Sequence, residues 1–552
     1  MISLNRFLFV SLLISLLFFS CSEQNSNKNR IIIGIATDIQ TLNPLFTISV
    51  DEGSIAELLY PALFDFRWNY EKGGLDIFPM IAESWEWSED SLSLNIKLRN
   101  DVTWTDGEKL TTGDIIFSFD IYSDPVVQSR LYETIETLFM NEDNSVNLEK
   151  SFTVISPSEL VVHFTPDKNP SMFDLGIPII PKHIFEKINR KELAESDKNY
   201  EPVTSGPYKL LKWNKNQDII LTSNKESFLY NSEMPEQLIF KVVPDYTSRI
   251  NQLEKKEIDL MEKVKTEDVK LLGQNKNIIV KSTTGREYDY IGWNNINVDI
   301  YQSEKKFEPN MLFGNPEIRK ALTYAINRKE IIDEYLLSYA EISNGPVPSI
   351  FKREINSDLE PLEYNPEKAK EILKKNGWKD TNNDGTIDKD GTEFSFILSI
   401  PTGNPLREYA STIIQNNLRS IGIEMKVETY ELGLFIDKLY NRTMDAYMAA
   451  WFIPVPLQFK PYWHSDPDIA PANFVSYRSK EADDILAKLD KRISERDYIS
   501  YVRQFQKILY NDQPVTFLYW TPNFTAYSNR ISNIEISPYG VISHCWEWKI
   551  TN

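Results

Sequence analysis

Residues 79–120, PMIAESWEWSEDSLSLNIKLRNDVTWTDGEKLTTGDIIFSFD, constrain this 552-residue chain more than any other stretch. Residues 93–98 alternate polar and apolar, the period of a half-buried strand. A second short strand is expected at 102–104, and Asp106-Gly107 behind it is a tight-turn signal. Thr111 and Asp114 have the spacing of a capping box, ahead of the apolar residues Ile115, Ile116, Phe117 and Phe119. The stretch therefore reads as strand, turn, strand and helix with little slack between them. None of its residues forms a catalytic constellation, so its role is scaffolding.

The N-terminus reads as a targeting segment. Arg6 is the only charge in the first twenty residues, and residues 7–19 are an apolar run broken by two serines. That run is shorter than the roughly 20 residues a membrane-spanning helix needs, and it fits a signal-peptide core over residues 1–20. Ser20-Cys21 ends it, so Cys21 is the expected acylated N-terminus, although Phe18 and Phe19 stand where a lipobox has Leu and a small residue. Two acyl chains there suffice for stable anchoring. Residues 21–30 are polar and read as a tether reaching roughly 15–20 Å. With Cys21 lipidated, Cys545 is left without a partner, and no disulfide framework holds the fold. At this length a hydrophobic core suffices. The formal net charge of -20 argues against binding nucleic acid.

Further along, residues 31–36 (IIIGIA) read as a buried strand, and 145–156 and 160–164 as further strands. Residues 246–253 read as a helix leading into a strand at 257–260. Asn315-Pro316 and Asn365-Pro366 place an N-cap before a proline at the first helical position. Residues 405–421 are amphipathic with Gly422 as a stop, and Ile423, Met425 and Val427 alternate behind them. Alternating helices and strands indicate an α/β fold.

Ala82, Ser84, Trp85, Leu98, Arg99, Val102, Trp104, Asp106, Gly107, Thr111, Asp114, Ile115, Phe117 and Ser118 match a known pattern. They resemble the signature of the family 5 extracellular solute-binding proteins, the peptide- and nickel-binding lipoproteins of ABC importers. That pattern has an apolar helix start, A-x-S-W, then a strand and a capped helix. Further strings are similar to the family: Thr41-Leu42-Asn43-Pro44, the segment ending at His183, Thr204-Ser-Gly-Pro-Tyr208, Trp293-Asn294, RKALTYAINRKEII and the strand from Asp445 to Trp451. Thr204 stands where the family has glycine, and His183 reads as a structural hydrogen bonder.

The resemblance implies an α/β, periplasmic-binding-protein-like clamp of two lobes with an additional domain inserted in the first. Lobe 1 is expected at 31–62, 202–288 and 525–552, the inserted domain at 63–201, and lobe 2 at 289–524. It also implies the substrate-binding subunit of an ABC importer, which captures a peptide or similar small solute in the interlobe cleft. The expected ligand-binding residues are Thr41, Asn43, Tyr208, Trp293, Asn294, Trp451 and Tyr462. The implied partners are ABC permease subunits and a membrane, reached through the lipid on the periplasmic face of the cell envelope. A monomer is expected, with no cofactor and no metal. One departure bears on the ligand: where similar peptide binders carry an acid for the ligand's α-ammonium, this chain has Pro454. An amine buried without a counter-charge is costly, so amine anchoring either comes from elsewhere or is absent.

Two alternatives belong to other classes: a periplasmic hydrolase and a non-transport ligand sensor on the same scaffold. The four histidines, His163, His183, His464 and His544, are scattered, and no H-E-x-x-H, G-x-S-x-G or phosphate-loop motif is present. Residues 380–388 (DTNNDGTID) resemble a calcium loop, but Gly391 occupies the position of the bidentate carboxylate, so a solvated hairpin is expected.

Overall fold

The computed structural model describes residues 29–132 and 134–551. The signal segment and Cys21 lie outside the described residues. Two long strands, Ile278–Trp293 and Val515–Ser528, lie antiparallel in the middle of an 11-stranded mixed sheet. On one side follow Leu260–Met261, Arg30–Ile35, Gln237–Val242, Asp218–Ser223 and Tyr208–Asn214. On the other lie Ala446–Phe452, Ser395–Pro401 and Glu424–Tyr430. Arg30–Ile35 has parallel partners on both edges and is apolar on both faces, as a strand covered on both sides must be.

The register between the two long strands breaks twice, between Asp289 and Tyr290 and, more widely, between Thr284 and Tyr288: Thr284 faces Pro522, whereas Tyr288 faces Trp520. Such an irregularity kinks a ladder locally. Gly285 sits inside the wider one, where a Cβ would stand 2.1 Å from the Thr521 carbonyl oxygen, so only glycine allows this backbone approach. From Glu287 onward Ile278–Trp293 also pairs with Ala446–Phe452. Both long strands thus pass through an irregular stretch, and separate hydrophobic cores lie along the sheet.

A smaller four-stranded sheet, ordered Ala82–Trp87, Ser93–Leu98, Glu159–His163 and Phe152–Ser156, forms with the helix Thr112–Tyr122 the body of the inserted region. The capping box is in place: the Asp114 carboxylate accepts the Thr111 N–H at 2.8 Å, and Thr111 Oγ1 accepts from Gly113. Gly107 has φ +93° in the turn. His183 Nε2 bonds the Asp106 carboxylate at 2.7 Å, tying that turn to the following segment. Three details differ from the sequence reading. Ala82–Trp87 is a strand, not a helix start, because it pairs with Ser93–Leu98 across a tight hairpin. Residues 102–104 contribute only an isolated bridge between Thr103 and Lys109. Leu148–Ser151 is a helical turn capped by Asn147, ahead of the strand Phe152–Ser156.

In lobe 2 the helices Pro316–Ala325, Pro366–Lys375 and Pro405–Arg419 begin at capping Asn315, Asn365 and Asn404. The buried arginines of the RKALTYAINRKEII string serve the backbone. Arg319 donates to the carbonyls of Phe313 and Gln513, and Arg328 to those of Ser343, Phe517 and Leu362. In the loop at 380–388, Asp380 accepts the N–H groups of Asn383 and Gly385, and Asp388 accepts that of Thr381. Its carboxylates thus close the loop on itself.

Candidate functional site: the cavity between the lobes

The helix Val50–Leu59 starts at Ser49, whose hydroxyl accepts the Glu52 N–H while the Glu52 carboxylate accepts back from Ser49. It buries Ile55, Ala56, Leu58 and Leu59. Gly53 and Glu57, one turn apart, share another face. Over Gly53 lies the guanidinium of Arg130, 3.6 Å from where a Cβ would stand. Arg130 is held there by its backbone N–H, which bonds the Leu45 carbonyl at 2.8 Å.

This helix, the residues around Phe64 to Trp68, the loop at 455–458 and the segment at 535–546 enclose a cavity of about 370 Å³. Phe64, Phe66, Trp68, Phe173, Tyr539 and Trp546 give it aromatic walls. A second chamber, about 460 Å³, continues past Pro456 and Gln458 between the inserted region and the last helices. Thr134 and Asp174 line both chambers. These volumes fall within the range of ordinary ligand sites. The cavity thus lies between residues 455–458 and the helix that carries Glu57. Elsewhere residues 63–201 and 289–524 touch directly. Arg492 N–H bonds the Asp167 carbonyl at 2.8 Å, Ile493 N–H bonds Asn169 Oδ1 at 3.0 Å, and Trp68 meets Phe351 edge-on at 5.3 Å.

Several charges of the cavity are satisfied within the protein. Asp65 accepts from Arg67 at 2.6 Å and from His544 at 2.7 Å, and Arg67 also pairs with Glu547. Burial opposes ionisation of Asp65, but these partners hold its carboxyl below the usual range. Asp174 accepts from Thr137 and from the Glu136 N–H. Glu57 differs. Its carboxylate faces the cavity, surrounded by protein but reachable from that space. Burial pushes its pKa up, against the opposing charges of Arg130 and His544.

The residues expected to bind ligand are distributed unevenly. Thr41 and Asn43 are buried: Thr41 Oγ1 accepts the Asn43 N–H, and Asn43 Nδ2 bonds Asn199 at 2.8 Å. Tyr208 is buried and donates to the Pro235 carbonyl. Trp293 is wholly buried between Phe313 and Phe396, with Nε1 on Thr516. Asn294 is buried and donates to the carbonyls of Arg442 and Met444. None of these five lines either chamber, and neither do Trp451 and Tyr462. Trp451 and Tyr462 are half-buried and meet edge-on at 4.8 Å. Trp451 also stacks on Phe474 at 5.5 Å and on Tyr290 at 6.3 Å, at the end of the strand that leads into 455–458. Glu57, Arg130 and His544 escaped the sequence reading, because no motif links positions so far apart.

The family model "Bacterial extracellular solute-binding proteins, family 5 Middle" matches residues 76–514. The oligopeptide-binding protein AppA of Bacillus subtilis (strain 168) is 28% identical over 530 residues, covering 94% of this chain and 91% of its own length. Its structure in complex with a nonapeptide superposes with a TM-score of 0.72 at 26% identity, covering 95% of this chain and 99% of that one. NikZ from Campylobacter jejuni, solved in complex with Ni(L-His), gives a TM-score of 0.74 at 25% identity, covering 95% and 99%. The two-lobed clamp expected from the sequence is thus the fold observed. The chain is a substrate-binding protein rather than an enzyme, and it belongs to the bacterial extracellular solute-binding proteins of family 5.

Proposed function

We propose that this chain captures a peptide in the interlobe cavity and delivers it to the permease subunits of an ABC importer, working as a monomer. The observation that carries this reading is the cavity itself: aromatic walls from Phe64, Phe66, Trp68, Phe173, Tyr539 and Trp546, closed by residues 455–458, with the Glu57 carboxylate and the Arg130 guanidinium facing it without a side-chain partner. Aromatic surface takes up side chains of varied shape, while the two charges suit a ligand with charged ends. Similarity to AppA, whose structure holds a nonapeptide, supports the peptide class. Similarity to NikZ keeps a metal chelate as the competing solute. Residues 31–62, 202–288 and 525–552 move as one lobe, carrying 63–201, against 289–524. The register break at Gly285 supports this division. Ligand closes the clamp by binding the closed form better than the open one. Cys21 carries the lipid that holds the protein at the periplasmic face of the envelope.

Mass spectrometry of small molecules released on denaturing the natively purified protein tests this reading. Peptides in stoichiometric amount support it; a nickel or other metal chelate in their place overturns the peptide assignment.

A further inference from the structure

Two opposite charges in the cavity stand side by side without satisfying each other. Glu57 and the Arg130 guanidinium share one face of the helix Val50–Leu59, Arg130 lying over Gly53 and Glu57 one turn further on. Both side chains are exposed to the cavity. Among the described residues, neither makes an ion pair or a side-chain hydrogen bond. Of the other charged groups that line the cavity, Asp65 is engaged by Arg67 and His544 and Asp174 by Thr137, whereas Glu535 is a second exposed carboxylate, carried by the C-terminal segment. Both Glu57 and Arg130 face the cavity without a side-chain partner, so both are open to a ligand carrying the complementary charges. Pro454, two residues past the strand Ala446–Phe452, offers no carboxylate.

We propose that Glu57 receives the ligand's α-ammonium group and Arg130 its carboxylate, so that the cavity selects short peptides with both ends free. This rests on the peptide reading above and specifies which residues read the termini. The two charges face a cavity of about 370 Å³, which suits a short peptide. Arginine presents a fork matched to a carboxylate, and an ammonium on Glu57 gains a charge-assisted bond in a partly dry site.

Calorimetric titration of the full-length protein with dileucine, N-acetyl-dileucine, dileucine amide and a nonapeptide tests the assignment. Wild type is expected to bind dileucine, with acetylation weakening it about 30-fold or more and amidation by a similar factor. Glu57→Gln should abolish the acetylation penalty while keeping the amidation penalty, and Arg130→Gln should do the reverse. Glu57→Asp, which keeps the charge, should retain most discrimination. Both side chains are exposed, so these variants are expected to melt close to wild type. If Glu57→Gln folds and discriminates against the acetylated ligand as wild type does, another carboxylate such as Glu535 holds the amine and the proposal fails. Binding of the nonapeptide but not of dileucine also overturns it, while leaving the peptide reading intact. If no peptide binds wild type at all, the peptide reading itself falls.

Discussion

Arg286 donates from Nη1 to the carbonyl of Ile453 at 3.1 Å, across the point where the lobes join. Its Nε reaches the Pro538 carbonyl at 3.0 Å, and its guanidinium lies between the rings of Phe452 and Tyr539, 4.4 and 4.7 Å from their centroids. It therefore fastens the start of the lobe 2 cavity loop to the C-terminal segment that walls the cavity. Arg286→Ala removes two hydrogen bonds from a charged donor and both ring contacts. The expected loss of stability is about 3 kcal/mol, read from denaturant unfolding. Arg286→Lys, a point charge without the fork, should recover less than half of it.

Glu262 couples the same C-terminal segment to pH. Burial, and then the negative charge of Asp51, raises its pKa to about 7, against Lys263 and the Val541 N–H it accepts. Its folded pKa lies above its unfolded value, so the folded state binds more protons between about pH 4.5 and 7. Stability from this group is complete below that window and falls as pH rises through it. Glu262→Gln should flatten this slope, melting above wild type at pH 8 by an amount on the order of 1–3 kcal/mol. Melting curves of both proteins at pH 5 and pH 8 check it. A variant less stable than wild type at pH 8 contradicts the assignment.

Trp451 sits in a stack with Tyr290, Phe474 and Tyr462. Trp451→Ala is expected to cost about 2–3 kcal/mol of stability, as for other partly buried large-to-small changes. The cavity loop that follows it should loosen, with a smaller loss in affinity. Unfolding and calorimetry on one preparation separate this from a side chain that faces ligand, which would lose affinity at unchanged stability.

Cys21 is expected to be labelled by a fatty-acid analogue in cells. Cys21→Ala should lose the label and leave the membrane fraction, and a mutant that still incorporates label contradicts lipidation at this residue.

Much of the fold was legible because its signals are local. Thr111 with Asp114, and Asn315 and Asn365 ahead of proline, cap their helices through residues two or three positions away. The alternation at 93–98 is likewise a property of one segment. Ala82–Trp87 was misread because its strand character comes from pairing with Ser93–Leu98, not from its own composition. The site was far less legible. Motif residues such as Trp293 and Asn294 look functional in sequence, yet the Trp293 indole N–H donates to the Thr516 hydroxyl and Asn294 donates to backbone carbonyls. Glu57 and Arg130 carry no motif, and they line one cavity because the Arg130 N–H bonds the Leu45 carbonyl, a contact set by tertiary packing.

Closure of the lobes on a peptide is the central claim, and single-molecule energy transfer across the cleft tests it most directly. Dyes at Lys150→Cys and Lys488→Cys, in a Cys21→Ser background, report the separation of the inserted region from the last helices; both positions are exposed, and the remaining Cys545 is buried. With a mixture of di- to nonapeptides, the account predicts a shift from a broad distribution to one short-distance population, reversed when peptide is washed out. A distribution unchanged at saturating peptide would contradict it.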